Sequence, residues 1–224
     1  MLVVGASRTI GLGLAEQLLR RGWTVIGTVR GTARTALHDL ADRSDGRLTV
    51  ERLEMTDADS RAALRDTLAG TTLDLLLVSA AITNGDQPIG DVDEATFTQV
   101  MTVNAYAPLR VVETLLPLVS PTGTIGVLSS SQGSLTLNTR GGHEVYRASK
   151  SALNQLMRSF AARHAGDARP LLLLNPGWVR TELGGPEAPL SIDQSVPGVI
   201  DTVLAQHGTP GLRFLDHRGQ TVPW

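Results

Sequence analysis

The chain has 224 residues, 42% of them hydrophobic and 19% charged, and a formal net charge of -2. This suits one packed domain and excludes a disordered chain, while scattered arginines and a near-balanced charge argue against nucleic acid or an anionic membrane as partner. No cysteine is present, so disulfides and thiolate metal sites are excluded. The apolar run at 1–4 is too short for a signal peptide and nothing approaches the roughly 18 apolar residues of a membrane span, so a cytoplasmic location is expected.

In chain order, β-rich apolar runs at 2–4, 23–29, 48–53, 73–80, 124–130, 170–175 and 212–215 predict strands. Helical periodicity at 10–21, 57–69, 93–119 and 146–164 predicts the helices between them. Valine- and leucine-rich strands without alternation are buried on both faces, as in a parallel sheet. The expected fold is therefore α/β: a single-domain, Rossmann-type doubly wound parallel sheet of about seven strands over residues 1–224.

The first strand runs into GASRTIG, which places Gly5 and Gly11 where a strand-to-helix turn must bend tightly and a pyrophosphate can approach a helix N-terminus. At the end of the second strand stands Arg30, where an acidic residue would instead bind an adenosine ribose. With Arg8 it offers guanidinium groups to a 2′-phosphate, so NADP(H) is favoured and NAD(H) is the alternative. Either arginine, taken alone, is equally well read as a solvated side chain.

Between the fifth predicted strand and the helix at 146–164 lies one substrate loop, about 131–145, and a second covers about 176–195. Leu135, Leu137, Trp178 and Leu183 are their apolar candidates for a pocket wall. His143 is read as solvated or substrate-facing, and the five histidines show no metal-ligand spacing.

YRASK contains Lys150, the one lysine among 20 Lys+Arg residues, four positions after Tyr146. That spacing puts both side chains on one helix face, where an ammonium can stabilise a phenolate and lower the tyrosine pKa. A compact ammonium has three rotatable donors, whereas arginine presents a rigid fork. The bland reading is a surface lysine beside a half-buried tyrosine.

Taken together, GASRTIG, LSSSQG, VNAYAP, YRASK and NPGWVRT, in this order along the chain, resemble the short-chain dehydrogenase/reductase family. The later regions resemble its C-factor-like and sniffer-type carbonyl reductase branch. The resemblance implies that Tyr146 is the general acid/base, that Lys150 lowers its pKa and holds the nicotinamide ribose, and that Ser130 binds the substrate carbonyl. Ser129 and Ser131 are competing choices for that serine. It further implies that Asn104 kinks its helix and positions a relay water.

The implied cofactor contacts are Gly5, Ser7, Arg8, Thr9, Ile10 and Gly11 in the turn; Arg30; Glu54 and Met55 at the adenine; Ser79, Ala80 and Ala81 after the fourth strand; Tyr146 and Lys150; and Pro176, Gly177, Val179 and Thr181. Three departures stand out: Thr9 replaces the middle glycine, Val78-Ser79-Ala80-Ala81 replaces Asn-Asn-Ala-Gly, and Val4 replaces a threonine. The implied activity is NADP(H)-dependent hydride transfer with a small carbonyl or alcohol substrate, in a homodimer or homotetramer. Alternatives are a non-catalytic NAD(P)-binding signalling protein resembling C-factor, or a lyase or epimerase on the same scaffold.

Overall fold

The computed structural model describes residues 1–224. Its strands are β1 (Leu2–Val4), β2 (Val25–Val29), β3 (Leu48–Arg52), β4 (Leu73–Val78), β5 (Val119–Leu128), β6 (Pro170–Asn175) and β7 (Gly211–Asp216). They form one sheet in the order β3-β2-β1-β4-β5-β6-β7, and every neighbouring pair is parallel. Chain order reverses at β1, which lies between β2 and β4. In such sheets the crevice beyond the carboxyl ends of the strands at the reversal is the ligand site.

The helices are α1 (Thr9–Arg20), α2 (Ala36–Asp42), α3 (Ala58–Thr67), α4 (Glu94–Met101), α5 (Ala107–Leu115), α6 (Glu144–Arg163) and α7 (Ile192–Ala205). On one sheet face, Leu14 and Leu18 of α1, Leu37 of α2 and Val196 and Val199 of α7 pack against Val3, Leu75, Leu77 and Leu172. On the other, Leu64 of α3, Val111 and Leu115 of α5 and Leu153, Met157 and Phe160 of α6 cover Leu2, Leu76, Ile125 and Leu173. Neighbouring leucines such as Leu75 and Leu76 therefore belong to opposite cores, which is why the strands show no polar alternation.

Several boundaries differ from the sequence reading. The expected helix 93–119 is divided into α4, a π-helical turn at Thr102–Tyr106, α5 and a 3-10 turn at Leu116–Leu118. Pro108 has no N–H for the carbonyl four residues earlier, and the ladder re-registers here: Ala107 N donates to Thr102 O, five residues back. The second substrate loop ends sooner than expected, because α7 starts at Ile192 with Ser191 and Gln194 forming a reciprocal capping box. Likewise α6 starts at Glu144, inside the expected first loop. No helix is long and apolar enough to cross a membrane.

Candidate active site

The turn between β1 and α1 is built on close backbone approach. Gly5 has φ +80, and a Cβ there would lie 2.9 Å from the Ala80 Cβ; a Cβ on Gly11 would lie 2.1 Å from the Gly5 carbonyl oxygen. The two glycines thus let α1 sit directly on the turn, with Ala80 beneath it. Thr28 anchors the same turn, its Oγ1 accepting from Gly5 N at 3.0 Å. Thr9 stands where the sequence comparison placed a missing glycine, and its φ is +49. The backbone keeps the left-handed shape despite the Cβ, at a cost of about 1–2 kcal/mol. No side chain caps α1 at Arg8, so the first N–H groups of the helix are available to an anion.

At the end of β5 the three serines separate. Ser129 is buried and its hydroxyl donates to Asn154 Oδ1 at 2.7 Å. Ser130 lines the cavity with Tyr146, and its Oγ accepts from Gln132 N at 3.1 Å. Of the three, Ser130 is the one whose hydroxyl lowers the pKa of the phenol. The glycine of this Ser-x-x-Gly pattern has a steric reason: a Cβ on Gly133 would lie 2.9 Å from the Lys150 backbone carbon. Only glycine lets the turn reach α6 at that distance.

Tyr146 and Lys150 project from α6 and are both buried. Lys150 is 2% exposed and its Nζ donates to the Leu128 carbonyl at 2.9 Å; Nζ lies 5.9 Å from the Tyr146 ring centroid. Burial pushes the Tyr146 phenol up to about 12, against a smaller lowering by the nearby Ser130 hydroxyl. Burial pushes the Lys150 ammonium down to about 8. The direction for Tyr146 is opposite to the sequence expectation, because desolvation outweighs the lysine, whose ammonium is turned to a backbone carbonyl.

Asn104 sits fully buried in the π-helical turn. Its Oδ1 accepts from Ile82 N and its Nδ2 donates to Ile82 O, both at 2.8 Å, with a further bond to Ser149 Oγ at 3.0 Å. Ser149 in turn donates to the Tyr146 carbonyl at 2.7 Å. Asn104 thus links the segment after β4 to α6, which carries Tyr146 and Lys150.

A cavity of about 610 Å³ brings these groups together. Of the residues expected from sequence, Arg8, Thr9, Ile10, Ser79, Ala81, Ser130, Tyr146, Lys150, Pro176, Gly177, Val179 and Thr181 line it. Gly5, Gly11 and Ala80 pack beneath the turn and Ser7 lies within it. The adenine-side residues are outside this cavity. Arg30 is exposed, 3.9 Å from Glu54 across Nε and Oε2, while Met55 is buried in the core and its carbonyl accepts from Arg61 at 2.6 Å. Trp178 and Leu183 form part of the wall, whereas Leu135 and Leu137 are exposed at 76% and 47% and do not.

Residues 5–191 match the family model described as enoyl-(acyl carrier protein) reductase. The chain belongs to the short-chain dehydrogenase/reductase family. C-signal of Myxococcus xanthus is 36% identical over 154 residues, which cover 68% of this chain and 93% of that protein. A Burkholderia multivorans protein described as a short-chain dehydrogenase/reductase, solved with bound NADP, superposes with a TM-score of 0.98 at 52% identity, covering 100% of this chain and 98% of the other. A carbonyl reductase from Pseudomonas aeruginosa PAO1 in complex with NADP is 38% identical with a TM-score of 0.92, covering 100% and 98%.

As a short-chain dehydrogenase/reductase the chain is of an oxidoreductase family. Gln132, Glu182 and Gly184, within the two expected substrate loops, also line the cavity, as do Ile82 and Thr83, which carry no sequence signal. Arg8 and Glu182 form an ion pair of 2.7 Å that ties the glycine turn to the loop after β6. Neither residue carries a sequence signal for this contact, since they stand far apart in two irregular segments.

Proposed function

We propose that this protein is an NADP(H)-dependent carbonyl reductase or alcohol dehydrogenase, with residues 1–224 forming one dinucleotide-binding unit. The observation that carries this reading is that Ser130, Tyr146 and Lys150, the last one helical turn on, line one cavity that extends to the glycine turn. A nicotinamide dinucleotide fits the groups present: uncapped N–H groups at α1 for the pyrophosphate, Arg8 beside them, and Pro176, Gly177, Val179 and Thr181 on the opposite loop. NADP in the Burkholderia and Pseudomonas structures and the exposed Arg30 favour the 2′-phosphorylated form.

Bound NADP(H) supplies or accepts the hydride at the substrate carbon. In the reducing direction Ser130 donates a hydrogen bond to the carbonyl oxygen, and the Tyr146 O–H delivers its proton to that oxygen as negative charge develops. A phenol held at about 12 is fully protonated at neutral pH, which is the form needed to act as the acid. Lys150, close behind, favours the phenolate left after transfer until solvent returns the proton. The net change is one carbonyl plus one hydride and one proton giving one alcohol.

The test is ketone-dependent NADPH oxidation over an aliphatic and aryl panel, with wild type against Tyr146→Phe. Turnover lost by about 100-fold or more, with NADPH binding retained, is expected for a general acid. An unchanged rate in the variant, or absence of wild-type turnover despite tight NADPH binding, sinks the proposal.

A further inference from the structure

We propose that His143 is a specificity-determining residue whose imidazole accepts a hydrogen bond from the substrate, selecting carbonyl compounds that carry a hydroxyl or N–H donor next to the reacting carbonyl. This rests on the carbonyl-reductase reading of the site.

His143 lines the cavity together with Tyr146 and stands three residues before it, at the N-cap of α6. It ends a run of left-handed residues, Gly141 at φ 68, Gly142 at φ 71 and His143 at φ 47. Glycine takes that conformation freely, but a histidine does not. Strain of this kind persists where surrounding contacts over-determine it, and here they do. The His143 N–H donates to the Asp86 carboxylate at 2.5 Å. One residue on, the Glu144 carboxylate accepts from Ile89 N at 2.9 Å. The segment after β4 is thereby clamped to the start of α6 at the histidine and at the residue after it.

The ring is oriented as well as the backbone. Its Nδ1 lies 3.2 Å from the Gly85 carbonyl oxygen. A carbonyl can only accept, so Nδ1 carries the proton, and in the neutral ring Nε2 is left with the lone pair. Amid the polar residues that line the cavity, Ile82, Leu183 and Trp178 supply apolar surface, the Trp178 indole N–H being already committed to Gly184 O at 2.6 Å. Nε2 is therefore an acceptor with no fixed partner, in a cavity where Ile82, Leu183 and Trp178 supply apolar surface. A substrate with a flat apolar body and a donor beside its carbonyl matches both features; a plain ketone matches only the first.

The experiment measures NADPH oxidation by the full chain with 2-hydroxyacetophenone and with acetophenone. Wild type is expected to favour the hydroxy ketone in kcat/KM by about tenfold, the size of one net hydrogen bond. His143→Gly removes the ring while keeping a left-handed backbone, so NADPH binding should hold. Its kcat/KM should fall by about tenfold on the hydroxy ketone and stay within about twofold on acetophenone. His143→Asn, whose amide accepts and which tolerates the left-handed region, should restore part of the preference. An equal hydroxy-ketone preference in wild type and His143→Gly overturns the inference while leaving the carbonyl-reductase reading intact. Failure of wild type to reduce either ketone overturns that reading, and the inference falls with it.

Discussion

Thr9 and Lys150 are each held in an unfavourable state by their surroundings, one in its backbone and one in its charge. Thr9 keeps φ +49 at the point where α1 begins, so Thr9→Gly should stabilise the fold by about 1 kcal/mol, less than the full strain because glycine adds freedom to the unfolded chain. For a domain of this size that is a rise of about 2–4 °C in Tm, readable by calorimetry. Lys150, buried and pushed down to about 8 from an ordinary 10.5, binds its proton less readily folded than unfolded. Its penalty is complete below about pH 8 and lifts as pH rises towards 10.5. Tyr146 acts oppositely: raised to about 12 from 10.0, it costs stability only as pH rises beyond 10. Both wild type and Lys150→Met retain Tyr146, so comparing them isolates the lysine. Urea unfolding from pH 7.5 to 10 should show wild type gaining up to about 3 kcal/mol on the variant, at 1.36 kcal/mol per pK unit. Parallel curves would contradict a buried ammonium.

Among the elements, the strands and the catalytic helix were legible because their signals are local. The run PLLLLN becomes β6 with its first five residues buried, and the apolar period of α6 carries Val145, Leu153, Met157 and Phe160 into the interior. Two helices were not. α2 has seven residues and buries only Leu37, too little for a periodic signal. α7 contains Pro197 and Gly198, residues that signal a loop; yet a Cβ at Gly198 would lie 2.3 Å from the His217 carbonyl oxygen, so that glycine serves helix-to-sheet packing. In the site, the motif residues were legible, while the wall from Ile82, Gln132 and Glu182 depends on how separate loops meet. Asn104 shows both cases: its place in VNAYAP identified it, but its bonds to Ile82 required the π-helical turn. Asn104→Leu would leave the Ile82 N–H and C=O without their partners in a half-buried setting. The expected loss is about 2–4 kcal/mol of stability, together with reduced turnover as the segment after β4 loses its tie to α6. Urea unfolding and ketone reduction measured on the same preparation check both.

Across the whole molecule the strand order reverses at β1, and on the proposed reading the dinucleotide lies across that reversal. Arg30, at the end of β2, is the one expected nucleotide contact that is almost free of protein partners, being 81% exposed with only Glu54 at 3.9 Å. Hydrogen bonds to charged groups are worth about 1.5–3 kcal/mol, and a 2′-phosphate present in NADPH but not NADH is where Arg30 would contribute them. A ligand stabilises the folded chain in proportion to the logarithm of its affinity, so at equal saturating concentrations the same 1.5–3 kcal/mol separates the two cofactors in unfolding free energy. At about 2–4 °C per kcal/mol, the wild-type Tm should rise about 3–12 °C further with NADPH than with NADH. Arg30→Ala should bring the NADPH value down towards that of NADH and leave the NADH value unchanged. The Arg8–Glu182 pair, exposed at 68% and 74%, is a weaker contributor, because solvent screens it. Glu182→Gln releases Arg8 for the phosphates and should raise the shift with both cofactors alike. A wild-type shift equal for NADH and NADPH would remove Arg30 from the nucleotide site, and a larger one for NADH would reverse the assigned preference.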